Sequence, residues 1–144
     1  MRNLLLNFII IILLTGCHQK VEIGDLNAEH PFGNKSWGLP DMDFNRDGKW
    51  VMRTHNHVLS LILYFSATQS EWAELTDQYK IEPKPASGTL NSDIMKAISF
   101  SEECLSKEIE NFNASEYITP LANGYRNFIM YDMKSEKCIL YFRK

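Results

Sequence analysis

Asp43, Asn45 and Asp47, with Gly48 directly after them, are the side chains whose types and spacing come nearest to a ligand site. Counted from Asp43, side-chain oxygens fall at the first, third and fifth positions and glycine at the sixth. Alternate oxygens of this kind converge on one hard cation such as calcium, and a glycine lets the backbone turn sharply around it. Asp41 could add an oxygen from outside the run. A little further on, His55 and His57 stand at i and i+2, which on a strand points both imidazoles to one side, an arrangement that suits zinc. The remaining reactive groups are the thiols of Cys17, Cys104 and Cys138.

Each cation reading is incomplete. Asp43 to Gly48 resembles the first half of the calcium loop of EF-hand proteins, but Val51 and Thr54 occupy the ninth and twelfth positions, where that family places a further ligand and a bidentate glutamate. Related β-propeller loops want an aspartate where Val51 sits. Without the bidentate ligand, affinity would be no better than the ~10⁻⁴ to 10⁻³ M of extracellular modules. The plainer reading of Asn45-Arg46-Asp47-Gly48 is preferred: a tight turn flanked by Phe44 and Trp50 as strand residues, since Asp-Gly is a strong hairpin signal. The histidine pair lacks third and fourth ligands, because His18 and His30 fall in a stretch without regular pattern. Exposed histidines ahead of a buried strand are expected there.

Cys17 has a more specific setting. Arg2 provides a short positive region, Leu4 to Leu14 is apolar at ten of eleven positions, and Thr15 and Gly16 are small residues before the cysteine. That is the tripartite layout of a secretory signal. Crossing ~30 Å of hydrocarbon takes about 20 apolar residues, so a run of this length does not span the membrane. Leu14-Thr15-Gly16-Cys17 resembles the processing site of bacterial lipoproteins. The resemblance implies a diacylglycerol thioether on Cys17, cleavage between Gly16 and Cys17, and usually acylation of the new amine. His18 follows where an aspartate would signal inner-membrane retention in the enterobacterial version of the family, so the implied location is the outer membrane, facing the periplasm.

Without residues 1–16 the chain has 128 residues, enough for one domain with one core. It carries 14 basic against 18 acidic groups, a formal charge of −4, which argues against a nucleic-acid partner. With Cys17 set aside, Cys104 and Cys138 are left as a pair, and exported chains usually oxidise such pairs. A disulfide between them would close a loop of 35 residues and add roughly 3 to 4 kcal/mol in the chain-entropy model. A catalytic thiol is less favoured, because Glu102 and Glu103 beside Cys104 oppose the thiolate.

The elements that must position these residues are legible in places. His18 to about Pro40, rich in Gly, Asn and Pro, reads as a tether; 22 flexible residues would hold a domain on the order of 25 Å from the membrane. Trp37 and Phe32 within it are aromatic enough to dock on the domain, which would shorten the tether. Val58 to Phe65 is nearly continuous apolar and predicts a central strand buried on both faces. Thr68-Gln-Ser-Glu71 has capping-box spacing, and Trp72, Leu75 and Tyr79 fall on one face of the helix that follows. A second helix is expected from about Glu102 to Phe112, with the segment before it undecided, and then a C-terminal hairpin made of Tyr125 to Tyr131, a polar turn over Asp132 to Lys137, and Cys138 to Phe142.

No Gly-x-Ser-x-Gly elbow, Ser-x-x-Lys pair or glycine-rich phosphate loop occurs in the mature chain. Glu102, Glu103, Glu108 and Glu110 most simply make a solvated helix face with Lys107, and the aromatics Trp50, Trp72, Tyr64, Phe65, Tyr131 and Phe142 are expected in a core. The expectation is therefore a signal peptide at 1–16, a lipidated tether at 17–40 and an α+β domain at 41–144. That domain should be a mainly antiparallel sheet with about two helices, ending in the hairpin. The expected role is a non-enzymatic, lipid-anchored module that binds another envelope protein, as inhibitors and immunity proteins do. Two other roles stay open: a calcium-stabilised accessory module using Asp43, Asn45 and Asp47, and an envelope hydrolase whose residues converge only in the fold.

Overall fold

The computed structural model describes residues 20–26, 47–55, 58–88, 109, 111–122 and 125–143. The elements are β1 (Lys20–Asp25), β2 (Gly48–His55), β3 (Val58–Ser66), α1 (Gln69–Tyr79), β4 (Lys84–Pro85), β5 (Glu116–Ile118), β6 (Leu121–Ala122), β7 (Tyr125–Arg126), β8 (Phe128–Asp132) and β9 (Lys137–Arg143). Seven strands form one antiparallel sheet in the order β1-β2-β3-β9-β8-β5-β4, and β6 with β7 makes a small separate hairpin. The domain is α+β and mainly sheet, as expected. Among the described residues no helix is long and apolar enough to cross a membrane.

β3 reads as an unbroken apolar run because both faces of the sheet are covered at its position. Leu61, Leu63 and Phe65 turn to one side and meet Trp72 and Leu75 of α1 together with Ile129, Tyr131, Leu140 and Phe142. Ile62 turns to the other side, where Val51, Met130, Ile139 and Tyr141 pack with Ile109 and Ala114. A strand with one wet face would have to alternate with polar residues; this one has no wet face. The C-terminal hairpin is also present: Asp132 pairs with Lys137 and Tyr131 with Cys138, and Glu136 in the turn takes a left-handed φ of 51°.

Thr68 caps α1 as its spacing predicts. Its backbone N–H donates to Glu71 Oε2 at 2.7 Å, and its hydroxyl accepts from the Glu71 N–H at 3.3 Å. The helix ends at Lys80, whose φ of 54° is left-handed. Two otherwise unpaired N–H groups depend on this box. Thr68→Ala is expected to destabilise the domain by about 1 kcal/mol, and a melting point unchanged within error would show that the box does not hold α1. Of the second helix expected over 102–112, only Ile109, 111 and 112 are described. Ile109 is helical, and its carbonyl accepts from Phe112 N at 3.0 Å.

One expectation is corrected. Lys20 to Asp25, expected in the tether, form the edge strand β1, with Ile23 opposite Val51 and Gly24 opposite Trp50. The rest of the 17–40 stretch, residues 17–19 and 27–40, lies outside the described residues. Gly24 is in the strand for reasons of space, since a Cβ there would stand 2.6 Å from the Trp50 indole. Of the tight turn expected over Asn45 to Gly48, Asp47 and Gly48 are described, while Phe44, Asn45 and Arg46 lie outside the described residues. The strand beside β2 at this end is β1, with Asp25 opposite Lys49, and the Gly48 carbonyl accepts from Leu26 N at 2.9 Å. Gly48 also answers to packing, because a Cβ would meet the Tyr64 carbonyl oxygen at 2.5 Å. In both places the glycine lets two backbones or a ring come close, and local pattern alone cannot separate that from a turn.

Candidate functional site

The start of β2 and the end of β3 open onto a cavity of about 340 Å³ lined by Asp25, Asp47, Gly48, Lys49, Tyr64, Phe65 and Lys137. Four strands supply it: β1 and β3 end here, and β2 and β9 begin here. Lys137 Nζ donates to Ser66 Oγ at 2.5 Å and stands 5.7 Å from the centroid of the Tyr64 ring. Two carboxylates and two ammonium groups around one concavity suit polar or charged groups of a partner. The Ser66–Lys137 contact is the nearest approach to a nucleophile pair, but it lies at the surface, and a serine activated by lysine needs that lysine desolvated.

The residues singled out in the sequence are only partly brought together. Asp47 lines this cavity, while Asp43 and Asn45 lie outside the described residues. Lys49 and Lys137 in the same lining oppose a cation beside Asp47, and no cluster of three or more potential ligands for a metal occurs among the described residues. His55 closes β2 opposite Val58; His57 lies outside the described residues. Cys138 is fully buried on the α1 side, between Tyr131 of β8 and Phe65 of β3. Cys17 and Cys104 are outside the described residues, and a bond from Cys138 to Cys104 would have to lie within that core.

Three features escaped the sequence reading. Asp132, taken as part of a polar turn, is a buried carboxylate that ties three segments together. It accepts from Ser135 Oγ at 2.7 Å, Lys134 N at 3.0 Å, Asn113 N at 3.2 Å and Ser135 N at 3.4 Å. Burial on its own would raise its pKa, but these donors outweigh that and hold it below the ordinary carboxylate value. Second, Trp72 Nε1 donates to Glu116 Oε2 at 2.6 Å while its ring stacks on Tyr131 at 5.2 Å, which joins α1 to β5 and β8. Burial, with neighbouring Glu136, Cys138, Asp132 and Glu116, pushes the Tyr131 phenol up, and burial does the same at Tyr79. An acid turn residue followed by polar residues was the one visible hint of the first; nothing local marked the others.

The third feature is the outer edge of β1. Val21 and Ile23 are 36% and 50% exposed, and Lys20 and Glu22 between and beside them form an ion pair at 2.6 Å. At the other edge of the sheet, β4 is two residues long and contains Pro85, which cannot donate to a further strand. No protein-family model, curated protein or solved structure matches this chain.

Proposed function

We propose that this chain is a lipid-anchored protein of the bacterial envelope, held at the outer membrane through Cys17, whose domain binds another envelope protein. Leu14-Thr15-Gly16-Cys17 supports the anchor. The observation that carries the binding role is the β1 edge. Among the described residues Lys20–Asp25 end the sheet with no strand beyond them, and Val21 and Ile23 put apolar surface next to that row of backbone groups. An extended segment of a partner can add to such an edge through main-chain hydrogen bonds, with side chains such as these setting specificity. The cavity at Asp25, Asp47, Lys49 and Lys137 continues the same strand and would take the partner's polar groups.

A photo-crosslinking residue in place of Val21, introduced in living cells, tests this reading. One defined envelope protein should be captured, and a second change, Ile23→Lys, should reduce that capture about tenfold or more while leaving the melting temperature unaltered, since a charge on an edge is a known deterrent to strand addition. Capture that is diffuse, or that survives Ile23→Lys undiminished, would remove β1 as the binding element.

A further inference from the structure

We propose that the end of the sheet at which β1 begins rests on the bilayer, its basic and apolar side chains meeting anionic phospholipid headgroups. The inference depends on Cys17 being acylated, as proposed above. Only His18 and Gln19 separate Cys17 from Lys20, so the two Cα atoms are at most about 11 Å apart. β1 therefore leaves no long spacer, and one end of the sheet must face the lipid.

The strand register identifies the residues at that end. Val21 pairs with Arg53, Arg53 with Ser60 and Ser60 with Arg143, one row across β1, β2, β3 and β9. Lys20 stands one step nearer the end, opposite Thr54. On the far side of the sheet, β5 leads to Pro120, whose carbonyl accepts from Asn127 N at 3.1 Å, and just beyond it Leu121 pairs with Arg126. The β6–β7 hairpin so reaches the same end, with Leu121 75% exposed. Three basic residues, Lys20, Arg53 and Arg143, thus stand at that end with an exposed leucine. Among the described strands Glu22 is the acidic residue nearby, and Lys20 holds it at 2.6 Å.

The opposite end carries Asp25, Asp47, Glu116, Asp132 and Glu136 against Lys49, Lys134 and Lys137. Among the described strands and turns, charge is therefore polarised along the strand direction, and the basic end is the one at which β1 begins. Each basic residue near an anionic surface strengthens binding about fivefold, and an interfacial leucine adds apolar contact. In this orientation the acidic pole, with its cavity, points away from the membrane and the β1 edge stays open along the surface.

The full chain, processed in cells and placed in vesicles of phosphatidylethanolamine with phosphatidylglycerol, provides the test by amide hydrogen exchange and intact mass. Exchange over Lys20–Ile23 and Leu121–Ala122 should slow about tenfold on adding vesicles, with the Met133–Glu136 turn unchanged. Leu121→Asp combined with Arg143→Glu, both at the surface, should abolish the slowing while the lipid keeps the protein on the vesicles. Equal exchange with and without vesicles, with the diacylglycerol mass present on Cys17, overturns the seating and leaves the anchor standing. Slowing that arises without vesicles, from protein concentration alone, makes this end a protein contact and overturns it as well. Absence of lipid on Cys17 overturns both.

Discussion

Cys17→Ala should move this protein from the membrane to the soluble fraction and leave its precursor uncut at Gly16. The anchor works through hydrophobic area. A single acyl chain gives an association constant on the order of 10⁴ M⁻¹, and every further buried methylene adds about 0.8 kcal/mol, so two or three chains on one residue hold a protein on the bilayer for practical purposes permanently. Alanine offers no sulfur to alkylate, and the whole of that contribution goes at once. What would remain is the apolar run Leu4 to Leu14 of the uncut precursor, too short to span the bilayer, and the weak attraction of Lys20, Arg53 and Arg143 for anionic lipid, which salt removes. Membrane partition should fall at least about a hundredfold. Fractionation of cells expressing each form, with intact mass of the product, reads both effects. A mutant still cut after Gly16 and still pelleting with membranes would end the lipoprotein reading.

Asp132→Ala should be the most damaging single change in the described part of the domain. The carboxylate sits at 3% exposure and collects four donors, three of them backbone or side-chain groups of its own turn and one the Asn113 N–H from the segment beneath the sheet. Removing it leaves those donors without their acceptor in a site that water reaches poorly. Hydrogen bonds to a charged group contribute about 1.5 to 3 kcal/mol each when deleted singly, and they are not additive, so a loss of roughly 3 to 4 kcal/mol is expected. That corresponds to a melting point about 10 to 15 °C lower for a domain of this size. Asp132→Asn should fall between, because its amide keeps one acceptor but turns a second donor toward Ser135 and Asn113.

The same carboxylate sets a pH dependence. Its folded pKa lies below the ordinary 3.8, so the unfolded chain takes up its proton first as acid is added. The stabilisation is complete above 3.8 and is lost as pH falls from there through the lowered folded value. Denaturant melts between pH 7 and pH 3 should therefore show the wild type and Asp132→Ala converging only at the acid end. A gap that stays constant to pH 3, or a variant as stable as wild type at pH 7, would mean that the four donors find water as easily as they find Asp132.

Where the sequence was legible, the cause of structure was local. Val58 to Phe65 announced a strand covered on both sides, Thr68 and Glu71 announced the start of α1, and the polar turn before Cys138 announced the last hairpin. Each depends on side chains within a few residues of one another. Lys20 to Asp25 did not announce itself, because a six-residue edge strand has little pattern of its own. Its pairing with β2, more than twenty residues ahead, supplies the hydrogen bonds that make it a strand. Gly24 and Gly48 look like chain breakers, and the Trp50 ring and Tyr64 carbonyl that need glycine beside them are distant in sequence.

The residues with chemistry divide along the same line. By itself the sequence determined the resemblance of Leu14 to Cys17 to a lipoprotein processing site, the acidic balance and the class of fold, because a short motif, net charge and periodicity are all properties of short stretches or of composition. Only the tertiary structure decided that Asp132 is a buried junction, that Asp47 shares its cavity with two lysines, and that Lys20, Arg53 and Arg143 stand at one end of the sheet. Those outcomes depend on strand order and register. Both are set by which apolar faces can be buried together across the whole chain, a sum over distant contacts that no window of residues contains.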